Sequence, residues 1–453
     1  MDREELFAEA AERAVAYLRR IRQRSVAPSD AAVAALSGLG GALPEEPVPV
    51  EEVLRLLDEL GSPGTVANAG GRFFGFVNGG SVPAALAANV LAAAWDQNGS
   101  LRVMSPVNAA LEDVAIGWIK DLLGLPLEAG CSFVTGATMA NMSCMIAARH
   151  ALLKKSGWDA EAQGLFGAPA FSVVVGEEVH ASASKALAMA GLGRDRVIRV
   201  PTDSQGRMRA DGFPKLTAPA LVCIQAGNVN TGAFDPAPEI CAAAHESGSW
   251  VHVDGAFGLW AAAAPDRAHL TKGFGEADSW ATDAHKWLNV PYDCGLAFVR
   301  DARALYESFN LQAAYLPPGG LRDPMQWTPE SSRRARGVEV WAALKSLGRA
   351  GLADLVERTC RHAQRFSEGL RAAGHAVLND VVINQVLVRF GDDATTEAVI
   401  KAIQRDGTCW CGGTVWHGKR AMRISVSSWV TDEEDVEWSL DAMLKAAKLC
   451  QSK

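Results

Sequence analysis

Two residues in the middle of the chain carry the most readable chemistry: Asp254, which closes the apolar run "WVHVD", and Lys286, which follows His285 in "DAHKWLNVPYDCG". Each ends a short apolar segment of the kind that forms a buried strand, so each side chain is delivered at a strand end. A lysine in that setting forms an imine with a carbonyl compound, and burial favours the neutral amine that the reaction needs. A carboxylate on a neighbouring strand holds a ring nitrogen in its protonated form. Taken singly, a lysine is most often a solvated surface group and Asp254 an ordinary turn cap. It is the pairing that makes a site. Directly after Asp254, Gly255, Ala256 and Gly258 carry almost no side-chain bulk, which leaves room for a flat ring against the strand end.

An anion for a ring nitrogen and an amine for an aldehyde are what pyridoxal 5'-phosphate requires. Its phosphate needs a cradle, and "FVTGATMAN" offers a strand end, the small residues Gly136 and Ala137, and Thr138 opening a helix. Backbone N–H groups and the positive helix end bind an anion there, with the Thr138 hydroxyl as a further donor; an ordinary helix cap is the competing reading. Neither the mononucleotide loop G-x-x-x-x-G-K-[ST] nor the dinucleotide fingerprint G-x-G-x-x-G occurs. In "GEEVHASASKALAMAGLG", His180 precedes a helix, where an imidazole either stacks on a ring and reaches a substrate carboxylate or simply caps the helix. Lys185 on that helix is a rival imine lysine, placed mid-helix on a polar face. In "CWCGGTVWHG", Cys409, Cys411 and His417 are too few for a closed zinc site, and the stretch reads as a strand edge with Trp410 and Trp416 packed inward; no metal is assigned.

These residues need a framework, and 453 residues with 49% hydrophobic content can bury a large core. Apolar runs at 171–176, 221–227, 250–255, 278–283 and 295–300 alternate with helical stretches, which implies a mainly parallel sheet covered on both faces, with its site at the carboxyl ends of the strands. Ahead of it lies a helical segment, 1–80, whose first helix carries Leu6, Phe7, Ala11, Val15, Leu18 and Ile21 at helical spacing and has little sequence around it to bury that stripe. The large domain is expected over 81–340 and a small α+β domain over 341–453, with strands in "VVINQVLVRF" and "AMRISVS", a helix in "TTEAVIKAIQRDG" and a last helix opening on a Thr431 to Glu434 capping box. A net charge of −8 gives no basic footprint for nucleic acid or an anionic membrane. The apolar run 83–95 is shorter than the roughly 20 residues of a membrane span. Nine scattered cysteines and a start without a signal peptide point to reduced thiols and a cytoplasmic protein.

Read in order, "VTGATMAN", "HASASKALAMAGLG", "AGNVNTGAFDP", "HVDGAFG", "DAHKWLNVPYDCG" and "AMRISVSSWVTDEEDV" resemble the group II pyridoxal-phosphate-dependent amino-acid decarboxylases, the superfamily of aromatic-amino-acid and glutamate decarboxylases. The resemblance runs from "GRFFGFVNGG" to near the C-terminus. It implies an aspartate-aminotransferase-like (fold type I) α/β architecture with a seven-stranded-type sheet, and a homodimer with shared active sites and the N-terminal segment packed across the partner. By position, it implies Lys286 as the imine lysine, Asp254 as the partner of the ring nitrogen, Ala256 under the ring, His180 stacked on it, Ala137 and Thr138 at the phosphate, and His285 near it. Asn228 falls where the family usually has threonine among its cofactor contacts.

The same resemblance implies substrate contacts from "FVNGG" and "WDQNGSLR", that is Phe76, Asn78, Asn98, Ser100 and Arg102, in part from the neighbouring subunit; their polarity mildly favours a polar or acidic amino acid, and a surface role for Arg102 competes. The family's mobile loop usually carries a tyrosine that protonates the substrate carbon after carbon dioxide leaves, yet between Tyr315 and Trp341 no tyrosine occurs. Decarboxylation of an L-amino acid to its amine is therefore the leading expectation. Aldehyde-forming oxidative deamination and aminotransferase-like chemistry are its alternatives on the same cofactor, and a non-catalytic cofactor-binding protein is the alternative from another class.

Overall fold

The structure, a computed structural model, describes residues 2–311 and 321–451. It falls into two compact units, one made of Ser81–Arg361 with Asn379–Gln385, the other of residues 1–80, His362–Leu378 and Val386–Lys453.

The first unit is built on a seven-stranded sheet: β1 (Gly130–Val134), β2 (Ser172–Gly176), β3 (Val197–Val200), β4 (Ala220–Gln225), β5 (Trp250–Asp254), β6 (Ser279–Asp283) and β7 (Gly295–Val299), in the spatial order β1-β7-β6-β5-β4-β2-β3. The ladders β2–β3, β2–β4, β4–β5 and β5–β6 are parallel, while β7 runs antiparallel to both β1 and β6. Strands β1, β4, β5, β6 and β7 are buried along their whole length, which is why they read as continuous apolar runs rather than alternating ones. β3, "VIRV", is a four-residue edge strand with Ile198 and Arg199 exposed, too short to stand out in the sequence reading.

The helix Ala137–Lys155 crosses one face of the sheet on small residues, Ala140, Cys144, Ala147 and Ala148, all fully buried. The Cys144 thiol lies within 3.5 and 3.6 Å of the Trp280 and Phe298 carbonyl oxygens, a measure of how closely the helix seats on β6 and β7. At its start only a glycine fits opposite: a Cβ on Gly295 would lie 2.5 Å from the Gly136 Cα.

The second unit carries a four-stranded sheet, β10-β11-β9-β8, made of β8 (Ala376–Val377), β9 (Gln385–Arg389), β10 (Gly412–Trp416) and β11 (Lys419–Ser425). The helices Asp393–Asp406 and Glu433–Gln451 complete it. β10 is an edge strand with Trp416 buried, as the "CWCGGTVWHG" stretch suggested. Residues 1–80 do not stand apart as a separate segment. Val26 donates its N–H to the Gly407 carbonyl (2.8 Å), Phe74 to Trp410 (2.8 Å), and Arg22 pairs with Asp432 and Glu434. The expected boundary at 340 also falls inside a helix, Gly337–Ala372, interrupted only at Gly348, where φ is +60°. The last helix is capped one residue later than expected: Asp432 and Asp435 exchange side-chain-to-backbone bonds, while the Thr431 hydroxyl is spent on the Gly71 carbonyl (2.7 Å).

The first helix, Arg3–Arg20, opens on an Asp2–Glu5 capping box and buries none of its residues. Phe7, Val15 and Leu18 of its apolar stripe are exposed. Among the described residues no helix is long and apolar enough to cross a membrane. All nine cysteines are free thiols, eight of them buried.

Candidate active site

The residues singled out at strand ends gather along one edge of the large sheet. Gly136 and Ala137 follow β1, His180 follows β2, Asn228 follows β4, Asp254 ends β5, and Asp283 ends β6 just before His285 and Lys286. All five strands point the same way, so these are their carboxyl ends.

Asp254 is 6% exposed. One carboxylate oxygen accepts the Ala256 N–H at 3.3 Å; the other, Oδ2, is buried with no hydrogen-bond partner. Leaving a charged oxygen dry and unpaired is costly, so its place is one that a donor is meant to fill. Two residues back on the same face of β5 sits His252, fully buried between the Ser279 hydroxyl (2.9 Å) and the Asn141 side-chain oxygen (2.8 Å). Nε2 faces the accepting oxygen of Asn141, so the ring proton rests on Nε2 and Nδ1 accepts from the Ser279 hydroxyl, which itself accepts the Trp250 Nε1–H at 2.8 Å. Burial pushes His252 down to about 3, so no positive ring competes for Asp254 from beneath.

The loop after β4 is tied to Asp254 by the Ala226 N–H, which donates to the Asp254 carbonyl at 2.9 Å. In that loop Asn228 is buried; its Oδ1 accepts the N–H groups of Asn230 and Thr231, and its Nδ2 is a buried donor without a partner. The small residues after Asp254 do a different job from the one expected. A Cβ on Gly255 would lie 2.8 Å from the Leu259 Cβ, and one on Gly258 would lie 2.3 Å from the Ala226 carbonyl oxygen. The space beside these two glycines is filled by protein, and of the small residues after Asp254 only Ala256 is half-buried rather than buried.

Lys286 extends its ammonium to 2.8 Å from Asp283 Oδ2. The other oxygen of Asp283 accepts the Ala137 N–H, the first of the helix Ala137–Lys155, at 2.5 Å. Asp283 is 2% exposed and also lies 3.5 Å from His285 Nε2. One buried carboxylate thus ties the amine to the first N–H of that helix. The sequence reading included Asp283 in a motif without assigning it a role; its position three residues before Lys286, at a strand end, is the available signal. His285 accepts the Cys294 N–H on Nδ1 at 3.1 Å, and burial holds it below the ordinary imidazole value despite the neighbouring Asp283. Tyr292, likewise unassigned, lays its ring against His285 with centroids 4.4 Å apart and planes 30° apart.

His180 caps the helix Ala181–Met189: its Nδ1 accepts the Ser182 N–H at 3.2 Å and meets the Ser182 hydroxyl at 2.7 Å. The capping role therefore holds, and it fixes the ring at the carboxyl end of β2. Lys185 is exposed, away from any strand end. Thr138 is half-buried in the first turn of its helix.

The substrate candidates are engaged elsewhere within their own chain. Asn98 binds the Ser100 and Arg333 N–H groups and the Ser332 hydroxyl, Ser100 is buried with its hydroxyl 3.5 Å from the Met104 sulfur, and Arg102 pairs with Asp113 at 2.5 Å. Phe76 is 64% exposed and stacks on Trp410, and Asn78 donates to Asn68. Tyr315 lies outside the described residues. Among the described residues no group of three or more His, Cys, Asp or Glu is arranged to hold a metal ion.

A buried unpaired carboxylate oxygen, a buried unpaired amide donor, an amine with its counter-charge and the start of a long helix are the groups that pyridoxal phosphate calls for. Comparison with known proteins agrees. Residues 36–390 match the model of the pyridoxal-dependent decarboxylase conserved domain. The chain is 26% identical over 442 residues to tryptophan decarboxylase 1 of Oryza sativa subsp. japonica, covering 88% of this chain and 84% of that protein. It is 27% identical over 346 residues to phenylacetaldehyde synthase of Petunia hybrida, covering 72% and 67%. In fold it superposes on the crystal structure of Oryza sativa TDC with PLP and tryptamine with a TM-score of 0.90, at 22% identity and over 98% and 97% of the two chains. The chain accordingly belongs to the pyridoxal-dependent decarboxylases, enzymes that use pyridoxal phosphate to remove the carboxyl group of amino acids.

Proposed function

We propose that this chain releases carbon dioxide from a free L-amino acid and returns the corresponding amine. The observation that carries the reading is the buried, unpaired Oδ2 of Asp254 at the carboxyl end of β5, one strand from the Lys286–Asp283 pair. When bound, the cofactor supplies an electron sink for the bond that breaks. The chain's own residues do the rest. Lys286 is the amine that holds the aldehyde, and Asp283 aims it. Asp254 offers a fixed negative charge to the ring nitrogen, Asn228 a donor, and Ala256 a flat floor. Ala137 and Thr138, at the start of their helix, bind the phosphate, with His285 close by. His180, pinned by its own cap, stacks on the open side and meets the substrate carboxylate.

A second reading keeps the site and changes the product. No tyrosine lies between Tyr315 and Trp341, and one similar protein is named as a phenylacetaldehyde synthase, so aldehyde with ammonia and hydrogen peroxide is the alternative outcome. The two separate in one experiment: incubate the purified enzyme with each common amino acid under air and measure carbon dioxide, amine, aldehyde and peroxide together. Carbon dioxide with amine supports the first reading, and carbon dioxide with aldehyde and peroxide the second. No carbon dioxide from any amino acid overturns both.

The working unit in this reading is a homodimer. Its support is the apolar stripe of the first helix, whose Phe7, Val15 and Leu18 are exposed among the described residues, and the family resemblance, by which Asn98, Ser100 and Arg102 serve in part a neighbour's site. Free, mostly buried thiols support a reducing, cytoplasmic setting.

A further inference from the structure

The large sheet has a second end, and a cavity of about 480 Å³ opens there. The first residues of β2, Ser172 and Val173, line it, with Arg196 and Ile198 at the start of β3 and Pro219 just ahead of β4. β2, β3 and β4 run parallel, so these are their amino ends, a strand's length from the carboxyl ends that lead to His180 and Asn228. The helix Ala181–Met189 spans the same distance: His180 caps its start, and Gly191 and Leu192, just past its end, line the cavity. The volume lies within the roughly 300–1,000 Å³ of small-molecule sites.

Most of the lining is apolar. Leu153 and Val173 are buried beneath it, and Phe171 and Leu192 are half-buried beside them. Pro169 and Pro219 bring no N–H to the walls. Leu165 is seated tightly against the turn after the helix, where a Cβ on Gly191 would lie 2.6 Å from its Cδ1. The residue after it, Phe166, is 99% exposed, so apolar surface continues beyond the lining into solvent. One charged group stands among the lining residues, Arg196. Its stem passes Gly193, and among the described residues its guanidinium has neither a hydrogen bond nor an ion pair. Its neighbour Asp195 is solvent-exposed and lies 3.8 Å from Arg194. The negative end of the helix Ala181–Met189 is already met, because Arg149 donates to the Ala190 carbonyl at 2.9 Å.

From this lining we propose that the cavity is a second binding site, separate from the candidate active site, which takes a small apolar monocarboxylate with its charge on Arg196 and its body over Val173 and Leu192. The planar guanidinium fork matches a carboxylate with two parallel hydrogen bonds. A cationic ligand would be repelled by Arg196. A neutral one would leave the guanidinium without a partner, and a phosphate ester with two charges would find a single cation. The apolar lining supplies the rest of the affinity by taking the ligand's hydrocarbon body out of water.

The probe is octanoate, measured by equilibrium dialysis against the full-length, cofactor-loaded enzyme. Expected is one molecule per chain at this cavity. Octanamide, the same body without the charge, and acetate, the same charge without the body, should each bind at least tenfold more weakly. Arg196→Gln should weaken octanoate by about tenfold, the lower end for a charge-assisted pair because Arg196 stands at a solvated rim. It should leave the absorbance of the bound cofactor at wild type, since the exposed Arg196 packs into no core. Undiminished octanoate binding by Arg196→Gln overturns the proposal and places the ligand elsewhere, the candidate active site included. Octanamide bound as tightly as octanoate overturns it too, by marking a plain apolar docking face, and so does a wild-type enzyme that binds no octanoate.

Discussion

Replacing Asp254 with asparagine removes one charge and almost nothing else. The amide oxygen can still accept the Ala256 N–H, so the turn after β5 is kept. What is lost is the anion at Oδ2, which sits dry and unpaired on a residue only 6% exposed, where solvent screens little. A hydrogen bond to a charged group contributes about 1.5–3 kcal/mol, and at that depth the upper part of the range applies. A loss of about 2–3 kcal/mol from the rate-determining barrier is roughly a hundredfold in rate. The same oxygen predicts an opposite effect on the cofactor-free protein. A buried unpaired carboxylate costs more than a buried unpaired amide, so without cofactor Asp254→Asn should melt at or above wild type, and only the stabilisation gained on adding pyridoxal phosphate should shrink. The assay is turnover at saturating cofactor, with melting curves with and without it. Near-normal turnover would refute the role of the charge; a cofactor-free variant that melts well below wild type would show that Oδ2 is satisfied in solution after all.

Lys286→Ala should abolish both the absorbance of the bound imine and the adduct trapped by borohydride, while Lys185→Ala leaves both at wild-type levels; the reverse result would move the imine to the helix Ala181–Met189. Glu307, bonded first to Lys154 and then to Arg303, is held down to about 2. Its folded value lies below the ordinary 4.5, so its contribution is complete above pH 4.5 and is lost as pH falls towards 2. Urea unfolding of Glu307→Gln across that window should show a shallower fall in stability than wild type, and equal slopes would remove Glu307 from the acid response. Deletion of residues 1–20, which spares the Arg22 pairs with Asp432 and Glu434, should weaken the dimer and lower activity in parallel, read by sedimentation and turnover at matched concentration. A fully active deletion product of unchanged mass would free the first helix from that role.

The sheet was legible because its strands are buried on both sides, and the ends of those strands showed where Asp254 and Lys286 would stand. Chemistry carried by a residue's own type and its place at a strand end survives in one dimension. Pairings between distant residues do not. Asp283 meets the first N–H of the helix at Ala137 only when β6 brings it there, and Arg102 finds Asp113 only when folding puts it within reach. The buried Glu112, bonded to Arg333 at 2.8 Å and Arg322 at 3.2 Å, joins segments no local pattern connects. Gly255 and Gly258 mislead for a related reason: a glycine that makes room for a ligand and one that lets two loops touch look alike in sequence. The capping box slid by one residue because Thr431 had a better acceptor at Gly71, 360 positions away.

The place of β1 at the edge of its sheet bears on how the molecule is made. β1 is hydrogen-bonded only to β7, and β7 is synthesised roughly 160 residues later. At ribosomal speeds of about 5–20 residues per second, the strand that leads into the helix at Ala137 waits on the order of ten seconds or more for the segment that pairs with it. Throughout that interval a strand that ends fully buried and the small-residue face of the next helix leave the exit tunnel without their counterpart. The nascent chain therefore carries β1 without its pairing partner between the emergence of residue 134 and that of residue 299, and the bond from the Ala137 N–H to Asp283 can form only after β6 has emerged.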